Sequence, residues 1–161
     1  MKKIDIDAAP TRFGTGYPPP YDAACAGRRR WKLGDAAGLT QFGVNLLRLP
    51  PGQWSSQRHW HTAEDEFVFV LEGEAVLVTD AGEEVLRAGD CAGFKAGEAN
   101  GHHIQNRSDR ELVLLEVGTR APPGEDAGTY PDIDLVLPKG GKAYRHRDGT
   151  PYDAKPLTSK A

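Results

Sequence analysis

The chain has 161 residues, 39% of them apolar, which suffices for one domain with a real core and is short for two. Twenty Lys and Arg against 23 Asp and Glu give a formal charge of -3, so nothing marks a general binder of nucleic acid or anionic membrane. The two cysteines, Cys25 and Cys91, stand far apart outside any CxxC and are read as free thiols, which argues against a disulfide framework or a structural zinc knot.

In chain order, the opening "MKKIDIDAAP" has two lysines but no apolar h-region, and no run of about 18 apolar residues follows, so a cytoplasmic protein is expected. Residues 1–27, with "GYPPPYDAACAG", are too rich in Pro, Gly and Ala for a strand or helix and are read as an extended N-terminal arm. The basic cluster Arg28, Arg29 and Arg30 is read as a solvated edge.

From there short runs of Val, Leu, Phe and Thr alternate with Gly and Pro punctuation. They predict strands over 30–33, 40–49, 54–61, 66–71, 75–79, 83–86, 90–94, 102–106 and 112–117. Turn signals fall between them, among them "PPG", "EGE", "DAGE", "RAGD" and "RSDR". No stretch shows helical periodicity with caps. The chain is therefore expected to be all-β, a sandwich or a jelly-roll barrel over residues 28–120. Residues 121–161 hold one short apolar run amid turn residues and form a C-terminal tail expected to pack on the barrel.

The stretch "HWHTAEDE" carries the chemistry. Side chains two apart on a strand share a face, so His59 and His61 look one way and Trp60 the other. A turn over "TAED" returns the chain at Glu66, bringing two imidazoles and a carboxylate within reach of one cation. With Glu66 pointing inward, Val68 and Val70 follow it. Phe67, Phe69 and Leu71 then face outward, and so large an apolar face requires cover by the arm or by a second subunit. A homodimer is expected on that ground. Parity also turns Ser55 and Gln57 to the inner face with the histidines, with Asn45 joining from the preceding strand. His146 is read as a surface residue.

These residues resemble the cupin family. Its first motif matches Gly52, His59, His61, Glu66 and Gly73, with six residues instead of five between Gly52 and His59. Its second resembles "GDCAGFKAGEANGHHIQN" from Gly89 to Asn106, with Lys95 where proline is usual and four residues instead of two between Gly97 and the histidine. The flanking texture is similar to a group of small single-domain bacterial cupins, some of which carry a sugar-phosphate isomerase label. The resemblance implies a double-stranded β-helix and one divalent transition metal, Mn, Fe, Co, Ni or Zn. It implies His59, His61, Glu66 and His102 as ligands. His103 is the rival for the fourth place, and the spacing to Asn106 favours His102. Asn45, Ser55, Gln57 and His103 are the expected substrate-binding residues.

The function so implied is isomerase-type chemistry on a small hydroxy-carbonyl metabolite, such as a sugar or sugar phosphate, with no catalytic base identified. The alternatives are an iron-dependent dioxygenase and a non-catalytic small-ligand binding or sensor protein. The residues before the first motif show no helix-turn-helix pattern, so DNA is not an expected partner.

Overall fold

A computed structural model describes residues 3–152. Twelve strands run β1 Thr11–Phe13, β2 Arg29–Lys32, β3 Phe42–Leu49, β4 Trp60–His61, β5 Glu66–Glu72, β6 Glu74–Thr79, β7 Gly82–Arg87, β8 Cys91–Phe94, β9 His103–Gln105, β10 Leu112–Thr119, β11 Gly128–Tyr130 and β12 Leu135–Leu137. The fold is an all-β jelly roll. Its largest sheet has six strands in the order β1-β2-β3-β10-β5-β8, and two three-stranded sheets, β7-β6-β9 and β12-β11-β4, complete it.

Strand alternation builds the core. Leu47 and Leu49 of β3, Leu112 and Leu114 of β10 and Val70 of β5 are fully buried against Ala75, Leu77 and Ile104. Each buried leucine contributes about 1.5–3 kcal/mol. The intervening residues face out, and there Phe67 and Leu71 stay 39% and 41% exposed while Phe69 is half-buried. The β5 to β6 turn uses Gly73 at a φ of 88°, where a Cβ would also meet Glu111 O at 2.9 Å, so the motif glycine is fixed by backbone geometry.

Several expectations need correction. Residues 1–27 do contain a strand: β1 pairs antiparallel with β2, Thr11 opposite Trp31. Tyr17 and Cys25 from the same segment are buried with Tyr130 and Leu135 from the far end of the chain, so both ends share a second core. The composition hid this because the partners lie a hundred residues away. Leu33, expected to close a strand, opens α1 Leu33–Ala36, a single turn too short to show periodicity.

The expected strand over 54–61 is broken. Trp54 bridges Gln105 and His59 bridges His102, so five steps on one side face three on the other, and the two extra residues bulge. The arginine cluster is not a solvated edge, because β2 alternates. Arg28 is 6% exposed, Arg30 points inward to Glu116, and Arg29 faces out to Glu111. Residues 1–2 of the arm and 153–161 of the tail lie outside the described residues. Among the described residues no helix is long and apolar enough to cross a membrane.

Candidate metal centre and its cavity

Three elements bring the motif residues together. His59 and His102 sit opposite each other, with reciprocal backbone hydrogen bonds of 3.1 and 2.9 Å, and β4 carries His61. β5 opens with Glu66, paired across the ladder with Phe94, whose ring stacks flat on His102 at 3.6 Å between centroids. Glu66 Oε2 is 2.9 Å from His102 Nε2, 3.8 Å from His59 Nε2 and 3.9 Å from His61 Nε2.

The other ring nitrogen of each histidine is engaged. Nδ1 of His59 faces Gln57 O at 2.9 Å, Nδ1 of His61 faces the Asp126 carboxylate at 2.6 Å, and Nδ1 of His102 lies 3.3 Å from Asn100 O. For His59 and His61 the Nδ1 partners are acceptors, which places the proton on Nδ1 and leaves the Nε2 lone pairs facing one region beside Glu66; His102 Nε2 donates to Glu66, the closer of its two partners, and would give up that proton to bind a metal. Nitrogen lone pairs and one carboxylate make a donor set that fits a divalent transition metal. Ligand atoms of His59, His61 and Glu66 all lie within 4.8 Å of one another. His61, Glu64 and Asp126 also cluster. His61 Nδ1 is already committed there, so this second group supports the first from outside.

The electrostatics agree. Burial lowers His59 to about 4 despite the attraction of Glu66, keeping its imidazole neutral. Burial would raise Glu66, but the His102 hydrogen bond and the surrounding imidazoles outweigh it and hold the carboxyl at about 2. Burial pulls His61 down, and Glu66 with Asp126 more than offset it, so its pKa is raised.

The cluster lies on the wall of a cavity of about 400 Å³, within the range of small-molecule sites. Tyr130, Leu137 and Tyr144 from the last third of the chain line it, and Tyr130 stacks on His59 at 5.4 Å.

Comparison with known proteins gives the lineage. A solved structure from Silicibacter pomeroyi, described as a sugar phosphate isomerase from a cupin superfamily, is 46% identical over 97% of this chain and 99% of its own, with a TM-score of 0.86. The chain belongs to the cupin superfamily. The family profile for the cupin domain matches residues 45–118. A structure from Acidithiobacillus ferrooxidans, described provisionally as a sugar phosphate isomerase, is 30% identical over 81% of this chain and 83% of its own, with a TM-score of 0.69. An oxalate-binding protein of Thermotoga maritima is 34% identical over 71 residues, 44% of this chain. The match spans 56% of that curated relative, little more than half its length.

Within this cupin, the remaining expected residues fall in different places. Asn45 and Ser55 line the cavity. Ser55 Oγ is also tied to the Ile104 N–H at 3.0 Å. Gln57 does not border it. The bulge turns that side chain away, and its amide donates to Tyr21 O at 2.7 Å. His103 borders the cavity with both ring nitrogens engaged, Nδ1 at 3.0 Å from Ser56 O and Nε2 at 2.9 Å from the Gln105 amide nitrogen. An amide donor on Nε2 uses the lone pair a metal would need, which favours His102 as the fourth ligand. His146 is half-buried and far from the centre in its contacts, pairing with Asp134 at 2.7 Å and stacking on Tyr152. Sequence reasoning missed Asp126, Tyr130 and the inward arginines. The acidic "GEDAG" at 124–128 was the only local signal for Asp126, and it reads like any turn.

Proposed function

We propose that this cupin binds one divalent transition metal through His59, His61, Glu66 and His102 and performs isomerase-type proton transfer on a small hydroxy-carbonyl metabolite such as a sugar phosphate. The observation that carries the reading is the convergence of three oriented Nε2 atoms and the Glu66 carboxylate on one wall of the cavity. A bound cation of this type supplies Lewis-acid polarisation of a substrate oxygen. The chain's own part is orientation and exclusion of water. Gln57 O and Asp126 fix the tautomers of His59 and His61, Phe94 and Tyr130 hold two of the rings flat, and the aromatic residues from the C-terminal segment close one side. The description of the Silicibacter pomeroyi relative, nearly full-length in both chains, supports the substrate class.

The test is exchange of carbon-bound protons with D2O in metal-loaded protein, screened over sugars, sugar phosphates and keto acids. Exchange that depends on His59 and Glu66 supports the reading. A second reading, ligand binding without turnover, is favoured by the oxalate-binding relative. It wins if compounds raise the melting temperature and none exchanges. Iron found in protein prepared without added metal, and reacting with O2, would instead favour a dioxygenase.

A further inference from the structure

Five basic side chains border the cavity, and three of them are paired with carboxylates, two of these sharing Asp35. Arg30 pairs with Glu116 at 2.7 Å, Lys32 lies 3.7 Å from Asp35, and Arg120 also binds Asp35. Arg12 and Arg28 are different: neither forms an ion pair with a carboxylate among the described residues.

The register places these two together. Arg12 sits opposite Arg30 in the β1–β2 ladder, and the Gly14 N–H donates to Arg28 O at 2.9 Å, continuing it. Arg12, Arg28 and Arg30 therefore share the inward face, and Arg12 is the diagonal neighbour of Arg28, about 7–8 Å away across the strands. Arg28 is 6% exposed. Its Nε and Nη1 donate to Gly14 O and Ser55 O, acceptors without net charge, and its guanidinium lies 5.9 Å from the centre of the Tyr17 ring. A buried guanidinium without a counter-charge is costly to the fold. Burial, and then repulsion from Arg30, lower its pKa, and an incoming anion relieves both.

We infer that Arg12 and Arg28 form a subsite for the phosphate monoester of the substrate, on the β1–β2 side of the cavity and separate from the histidine cluster. The inference rests on the reading of the cavity as a substrate site and adds which end of the substrate lies where. Charge selects the ligand: two uncompensated cations match the roughly -1.5 to -2 charge of a phosphate monoester at neutral pH better than the single charge of a carboxylate. Guanidinium forks also suit its oxygens. The hydroxy-carbonyl end is then directed to His59, His61, Glu66 and His102, so a phosphorylated substrate would be held at both ends.

The experiment is calorimetric titration of full-length, metal-loaded protein with inorganic phosphate at low ionic strength, with acetate as the comparison. Arg12→Gln is the main variant, because that side chain has no ion pair to lose in the free protein. It should weaken phosphate binding tenfold or more and leave the ligand-free melting temperature unchanged. Arg28→Lys keeps the buried charge and loses the fork, and should weaken phosphate as well; Arg110→Gln, on an outer loop, should do nothing. The loss in Arg12→Gln should persist in a His59→Ala background, which separates this subsite from the metal reading. Phosphate affinity unchanged in Arg12→Gln but abolished in His59→Ala would put the anion at the histidine cluster and overturn the subsite while leaving the metal reading intact. Acetate bound as tightly as phosphate would overturn the choice of phosphate.

Discussion

His61 Nδ1 lies 2.6 Å from the Asp126 carboxylate, a contact that joins the first cupin motif to a residue 65 positions further along the chain. Asp126 also accepts from the Ala63 N–H at 2.9 Å, so it fixes both the imidazole and the turn that leads to Glu66. Partners of this kind orient metal ligands and raise their basicity. Asp126→Asn should therefore lower metal affinity about 10–100-fold with the fold retained, as measured by competition with a chromophoric chelator and by circular dichroism. Wild-type affinity in the variant would show that the contact only positions the segment after β10.

The ligand assignment makes a sharper demand. His59→Ala, His61→Ala and His102→Ala should each lose most of the bound metal, and should melt lower than the metal-loaded wild type by the binding energy forfeited, about 2.7 kcal/mol at a hundredfold excess over Kd. His103→Ala should keep its metal, because Gln105 and Ser56 O already occupy both nitrogens. Elemental analysis of the purified variants decides. Metal retained in His102→Ala and lost in His103→Ala would reverse the assignment of the fourth ligand.

The contrast between these neighbours shows what the sequence could reveal. The strands β3, β5, β6, β7, β8 and β10 fall within about two residues of their expected bounds, because alternation and turn residues are local signals. The spacing of His59, His61, Glu66 and His102 likewise anticipated a cluster that the fold does assemble. Gln57 failed for a non-local reason. Its direction depends on a two-residue excess opposite His102, and no parity count along one strand can see the partner's register. β1, β11 and β12 were missed in the same way. Each has only three residues and is held by pairing with another strand, and β11 and β12 also by the core that joins Tyr17 to Tyr130 and Leu135.

Two titrations should govern the acid stability of the metal-free protein. His59 is held at about 4 in the fold and returns to about 6.5 on unfolding. As pH falls from 6.5 to 4 the unfolded chain takes up a proton that the native state refuses, and roughly 3 kcal/mol is lost at 1.36 kcal/mol per unit. Glu66, depressed to about 2 from 4.5, contributes stability above 4.5 that disappears as pH falls towards 2. His61 acts in the opposite sense: its raised pKa adds stability below its unfolded value, lost as pH rises through the folded one. Chemical denaturation between pH 7 and 4, in chelator, should show a slope that flattens in His59→Gln. An identical slope in that variant would mean that other groups set the acid limit.

The outer face of the six-stranded sheet bears on assembly. The register sets Phe67 opposite Val117, and Phe69 opposite Leu115, which in turn faces Leu46, so apolar side chains form one continuous band across three strands. The N-terminal arm is spent elsewhere: it adds β1 beyond β2 and sends Tyr17 into the second core. That leaves a second copy of the chain as the natural cover, since an isologous contact can bury the same band on both partners. Light scattering should report twice the chain mass. Phe67→Glu with Leu71→Glu should reduce it to a single chain while leaving metal content unchanged, because both side chains alternate along β5 with the buried Val68 and Val70 and neither is among the proposed ligands. A wild-type protein of single-chain mass at micromolar concentration would leave the band to a different partner.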